Sequence, residues 1–211
     1  NVLLKGDLAT GREKKEVLEK LHRYTGLDKE FLERSRLKVA IMQFCKELLR
    51  KQRRTVGRLD SRITGYDADP TGHQIEHDPS MSALMPPYTM AFNDYVRRTL
   101  KYETELKYHV FHGITKPWTW DVPKDEMTDT SHALRDAMLR NPHMRVFVAS
   151  GYYDLATPYY ATAYTLSHLG LEPDLRAKIE TEEYEAGHMM YTHVGCLQNL
   201  YEDVKQFVAK A

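Results

Sequence analysis

The chain has 211 residues, 42% of them apolar, which is enough for one or two domains with a sizeable core. Its 30 basic residues balance 30 acidic ones, so it lacks the electrostatic footprint of a nucleic-acid or anionic-membrane binder, and neither is expected as a partner. No apolar run reaches the length of a transmembrane helix, and Cys45 and Cys196 are too few and too far apart for a disulfide framework or a CxxC metal site. Both thiols are expected to be buried as small apolar groups.

The first half reads as helical. Val17, Leu18, Leu21 and Tyr24 recur at helical spacing, and Gly26 stops that segment. Asp28 is placed to cap a short helix through Arg34, and a helix is predicted over 37–51 from the stripe of Leu37, Ile41, Phe44, Cys45, Leu48 and Leu49. From Lys51 to Pro87 the periodicity disappears while Gly, Asp, Pro, His and Ser accumulate, which predicts a long irregular connection. Helical spacing resumes over 87–101, with Pro87 near the first turn. Trp118 and Trp120 are expected to anchor these helices to the remainder of the chain.

A different pattern follows. A helix is predicted over 130–140, and Arg145 to Ser150 is β-branched and runs into Gly151, as a buried parallel strand does where it enters a loop. A helix over 157–169 has Thr157 as its cap, Pro158 in its first turn and Gly170 as its stop. A short helix over 173–178, a strand over 180–184 and an amphipathic helix over 196–210 complete the chain. Strand, helix, strand, helix is an α/β alternation.

Reactive groups in open α/β sheets sit just beyond the carboxyl ends of parallel strands, where crevices form. Asp154 lies three residues after Gly151, and His188 follows the second strand in Tyr184 Glu185 Ala186 Gly187 His188 Met189 Met190 Tyr191. A carboxylate that orients an imidazole makes the acid and base of a catalytic triad. Each residue also has a structural reading, since an Asp after a strand can cap a helix and a lone His can serve packing. No G-x-S-x-G occurs, and Ser150, the serine nearest Asp154, ends a strand on the wrong side of the α/β-hydrolase order of nucleophile, acid, His.

The string from Val146 to Pro158, Val Phe Val Ala Ser Gly Tyr Tyr Asp Leu Ala Thr Pro, together with the His188 segment, resembles the Asp and His motifs of bacterial serine carboxypeptidases. Tyr24 Thr25 Gly26 Leu27, Gly57 to Arg62, Asp78 Pro79 and Phe92 Asn93 Asp94 Tyr95 are similar to the same family's insertion. The resemblance implies a partial α/β-hydrolase fold over 126–211, preceded by a mainly helical lid over 1–125. It implies that Asp154 and His188 are catalytic, that Met189 lines a leaving-group pocket or simply packs, and that Tyr152 and Tyr153 border the substrate cleft or are structural. The family's Gly-Glu-Ser-Tyr-Gly elbow is absent, so the serine is expected upstream or on a companion chain, and the 211 residues alone are expected to be inactive. A peptide is the expected substrate; ester hydrolysis, acyl transfer by the same triad and a non-catalytic fragment are the alternatives. Self-association through the truncated sheet and a location outside the cytoplasm are further expectations.

Arg58, Asp60 and Arg62 are expected to hold the lid by ion pairs or to meet a substrate carboxylate. His73, His77, His109 and His112 show no recognised ligand spacing, and His188 and His193 do not form an HExxH pair, so neither a metal nor another cofactor is expected.

Overall fold

The computed structural model describes residues 2–106, 108 and 128–210; Trp118, Trp120, His109 and His112 lie outside the described residues. The chain forms two compact units, residues 1–82 with 153–156, and residues 83–152 with 157–211.

In the first unit, α1 (Val2–Lys5) precedes α2 (Gly11–Thr25) and α3 (Lys29–Arg34). Helix α2 starts on a capping box, in which the Thr10 hydroxyl accepts from the Glu13 amide at 3.3 Å while the Glu13 carboxylate accepts from the Thr10 amide at 3.0 Å. The Lys5 ammonium and then that amide hold the Glu13 carboxyl down to about 2. Gly26, at φ 75°, ends the helix as its sequence predicts. Leu18, Leu27 and Leu32 form the buried centre, with Phe31, Phe44 and Leu48 packed around it.

The helix predicted over 37–51 is shorter. Arg36 and Leu37 both adopt left-handed backbone (φ 52° and 61°), and the Leu37 amide reaches back to the Leu32 carbonyl at 2.9 Å. This closes α3 with a helix-terminating turn built without glycine. The chain therefore re-enters helix only at α4 (Ile41–Glu47), which presents Cys45 to a buried cluster with Val56 and Ile75. Burial raises the Cys45 thiol to about 11, with the Asp78 charge adding to the effect.

The irregular connection is ordered by hydrogen bonds rather than by periodicity. It opens on a short antiparallel pair, β1 (Thr55–Val56) and β2 (Thr64–Gly65). Beyond it, the Lys46 ammonium bonds the Asp67 carboxylate at 2.6 Å with both side chains almost wholly buried (2% and 1% exposed), and also bonds the Asp69 carbonyl. Arg50 bonds the carbonyls of Pro70 and Gly72 at 2.6 and 2.8 Å, and the Glu76 carboxylate accepts from the amides of Ala68 and Asp69. The next helix, α5 (Pro79–Asp94), begins at Pro79, not at Pro87. Asp78 accepts from the Ser80 amide at 2.9 Å as its cap, and Pro79 stands where no amide is needed. Pro86 and Pro87 lie inside the helix, which passes into a π-helical turn at Tyr95–Thr99.

The second unit is a layered α/β arrangement, with α6 (Ser131–Arg140), β3 (Val146–Gly151), α7 (Tyr159–Ser167), α8 (Pro173–Arg176), β4 (Ile179–Tyr184) and α9 (Val194–Ala209). Strands β3 and β4 are parallel, in register from Val146 opposite Ile179 to Gly151 opposite Tyr184. Alternate β3 side chains face opposite layers, as the period of two in a strand requires. Val146 and Val148 pack with Met138 of α6 and Leu166 of α7. Phe147 meets Phe207 of α9 at 5.5 Å, and Ala149 packs on the cluster of Tyr184, Ala186, Met190 and Cys196. The Tyr184 hydroxyl donates to Asp203 at 2.8 Å; burial first, and that carboxylate second, push the phenol above its ordinary range. Among the described residues β3 pairs only with β4. Strand β3 carries no charge, whereas β4 carries Glu180, Glu182 and Glu183.

Removing the Asp67 carboxylate strands the Lys46 charge in a site that water does not reach. Asp67→Ala is expected to destabilise the first unit by about 3–5 kcal/mol, read as a lower urea midpoint by far-UV circular dichroism. The double variant Lys46→Met/Asp67→Leu is expected to recover most of that loss.

Candidate functional site

Because Gly151 stands opposite Tyr184, the carboxyl ends of β3 and β4 are level. The Tyr184 carbonyl accepts from the amides of both Tyr152 (3.0 Å) and Ala186 (2.7 Å), which turns the segment after β4 back across the end of β3. That crossing requires glycine. A Cβ on Gly151 would meet the Ala186 carbonyl oxygen at 2.6 Å and the Gly187 carbonyl oxygen nearer still.

His188 leaves this crossing and is exposed, with its Nδ1 3.2 Å from the Thr157 hydroxyl. Met189 is half-buried; its carbonyl accepts from the Thr192 amide at 3.0 Å and the Thr192 hydroxyl at 2.8 Å, which closes a tight 3-10 turn over Met190–Thr192. Met190 is buried beneath that turn. His193 has a structural role: it caps α9, its Nδ1 accepting from the Cys196 amide at 3.3 Å.

Thr157 is not the cap that its sequence position suggests. Helix α7 begins at Tyr159 and Pro158 occupies the cap position, its carbonyl accepting from Ala161 and Thr162 at 2.9 and 3.2 Å. A residue before proline is disfavoured from helical backbone, which keeps Thr157 out of the cap position. Tyr152 is about half exposed and makes an edge-to-face contact with Tyr159, 5.3 Å between ring centres.

Asp154 and Tyr153 belong to the first unit. There the chain from Tyr153 to Leu155 is hydrogen-bonded on both sides of Asp154: the Ser61 amide donates to the Tyr153 carbonyl at 3.0 Å, and the Leu155 amide to the Arg58 carbonyl at 2.9 Å. Leu155 packs against the cluster of Cys45, Val56 and Ile75. Asp154 is 4% exposed, and its carboxylate accepts from the Ala156 amide at 2.7 Å. The segment that receives it is itself pinned to the start of α5. The Asp78 carboxylate accepts from the Arg58 amide, the Ser80 hydroxyl accepts from the Leu59 amide, and Gly57 lies so close that a Cβ there would stand 2.6 Å from Ser80 Cβ. Arg62 pairs with Asp60 at 2.7 Å and lies over the ring of Tyr153 at 4.6 Å. The alternating charges at 58–62 thus include one ion pair, between neighbours in the same segment.

Two contributors escape sequence reasoning, the Thr157 hydroxyl beside His188 and the backbone of 58–61 that receives Asp154. The motif Gly57 Arg58 Leu59 Asp60 Ser61 Arg62 marks the second segment in the sequence, but its charges draw attention away from its amides and carbonyls. Among the described residues no group of three or more His, Cys, Asp or Glu side chains converges on a possible metal position. Comparison of the chain with family models, curated proteins and solved structures finds no match.

Gly151→Ala is expected to cost about 1–3 kcal/mol or more, because the only relief is displacement of the crossing backbone. Urea denaturation measures the loss, and a shift of the His188 ring signals in NMR spectra reports the displacement. Gly195→Ala, where a Cβ would have its nearest neighbour at an ordinary 3.4 Å, is the control and is expected to change stability little.

Proposed function

We propose that the chain is the acid-base portion of a serine carboxypeptidase-like α/β-hydrolase and that it acts on the carboxyl-terminal bond of peptides. The observation that carries this reading is positional: an aspartate and a histidine follow the level ends of two adjacent parallel strands, in the order that the fold's chemistry uses. Burial of Asp154, the hydrogen bonds on both sides of it, and the fixed crossing before His188 support the reading, because a catalytic carboxylate and imidazole need rigid backbones.

In this reaction a serine outside these 211 residues attacks the scissile carbonyl while His188 Nε2 takes the hydroxyl proton. The resulting imidazolium is stabilised by Asp154 and returns the proton to the departing amine, leaving an acyl-enzyme. Water attacks the acyl group next, with His188 again taking a proton and giving it back to the serine. Met189, Tyr152 and Tyr153 border the peptide. The serine-bearing segment pairs with the uncharged strand β3 rather than with glutamate-bearing β4.

The test is hydrolysis of peptides with a free terminal carboxylate by the protein carrying its serine-bearing segment, compared with the His188→Ala variant. A loss on the order of 10⁴–10⁶ in turnover is expected. Equal turnover in the two proteins would reject the assignment, as would peptide hydrolysis by the 211 residues alone.

A further inference from the structure

The overall balance of charge hides a local excess. The run Arg50 Lys51 Gln52 Arg53 Arg54 places four cations in five residues, immediately before β1. Such residues ordinarily belong to a solvated face, but here the run leads into a buried hydroxyl. A 3-10 turn over Arg50–Gln52 ends at Arg53, whose left-handed backbone (φ 55°) redirects the chain into β1. Val56 joins the apolar cluster of Cys45 and Ile75, so the alternation of a strand sends Thr55 the opposite way, toward a small cavity that it lines together with Lys46, Arg50, Arg53, Arg54 and Asp67.

Two observations mark this cavity as a ligand site. Thr55 is 3% exposed, and among the described residues its hydroxyl oxygen is the one buried side-chain polar atom without a hydrogen-bond partner. A buried hydroxyl in that state is costly and calls for a partner from outside the protein. The second observation is the charge around it. Asp67, the carboxylate in the lining, is spent on Lys46, and Arg50 is matched by Glu47 at 2.5 Å. Arg54 bonds only neutral oxygens, those of Thr64 and the Tyr66 hydroxyl, and among the described residues neither Arg54 nor Arg53 has a carboxylate partner. The cavity volume is about 10 Å³, room for one water-sized group such as a single oxygen atom. We propose that this cavity binds a phosphate group, one oxygen of which enters to accept from the Thr55 hydroxyl while the others meet Arg53 and Arg54 at the mouth. A phosphate carries about −1.5 to −2 charges near neutral pH and so balances the two unmatched guanidinium groups, where a carboxylate balances one. The site lies within the first unit and owes nothing to the hydrolase reading.

The experiment is titration of the 211-residue chain with inorganic phosphate at constant ionic strength, followed by the amide NMR signals of Arg53 to Val56. Saturable shifts are expected in the native chain. Arg53→Gln and Thr55→Val are each expected to weaken the apparent affinity by about tenfold or more, as loss of a hydrogen bond to a charged group does. Lys51→Gln, which removes a charge from the same run but not from the cavity, is expected to change it little, and Thr55→Ser, which keeps the hydroxyl, is expected to retain binding. Spectra without phosphate establish that each variant is folded, and Arg53, being exposed, can be replaced without disturbing the interior. Acetate is expected to bind more weakly than phosphate. O-phosphoserine, titrated in parallel, distinguishes an esterified group, which binds at least as tightly as the free ion, from the free ion alone; either result supports the site. No saturable shift, which would leave a buried water as the partner of Thr55, would overturn the proposal. So would shifts that persist in both Arg53→Gln and Thr55→Val, the mark of adventitious surface binding only, or acetate binding as tightly as phosphate.

Discussion

The near-contact between Gly151 and the backbone of Ala186 and Gly187 is the constraint on which the carboxyl ends of the second unit's strands depend. Parallel strands end with exposed amides and carbonyls, and their continuations commonly diverge into separate loops. Here the Tyr184 carbonyl takes hydrogen bonds from both continuations, and the absence of a single carbon at Gly151 lets one pass over the other. His188 is carried by the first residues to leave that crossing. Its position is therefore determined by backbone packing one to four residues away, and an exposed side chain acquires a fixed origin without being buried itself.

Asp154 is held by a different device. The chain leaves β3 and, within three residues, contributes a short segment to the first unit, with backbone hydrogen bonds to Arg58 and Ser61 and a side-chain anchor at Leu155. The segment from Gly57 to Ser61 is irregular, yet Asp78 and Ser80 at the start of α5 fix it through its amides. A helix start thus organises a loop, and the loop organises an aspartate far away in sequence. Buried polar side chains support the same region: Lys46, Asp67 and Ser80 are each hydrogen-bonded, as burial demands.

What was legible in the sequence followed from periodicity and from residues whose backbone preference is absolute. Gly26 ended its helix, and the uncharged run from Val146 into Gly151 was a parallel strand. What was not legible had local causes. Arg36 and Leu37 take left-handed backbone without being glycine, so the break before α4 had no marker. Asp78 and Pro79 have the composition of a helix start, but Pro86 and Pro87 argue against a helix through them, because interior prolines sacrifice hydrogen bonds, and the stretch before Pro87 therefore read as irregular. Thr157 had the composition of a cap and the backbone of a residue before proline, and the backbone prevailed. The amides and carbonyls of 58–61 carry no side-chain signature at all. Asp154 and His188 could be singled out from their places after the two strands and from family resemblance, while the groups that hold their backbones could not.

The unequal chemistry of the two strands has a consequence for assembly. A sheet with two open, apolar borders would accept strands on either side, and copies could add to one another without limit. In this chain β4 carries Glu182 and Glu183, with Glu180 paired to Arg145 and Lys210, whereas β3 is uncharged. Were a strand to pair with β3, the other border of the sheet would still present Glu182 and Glu183 to the next one. A sheet with borders of that kind would favour a pairing of defined stoichiometry over a fibre.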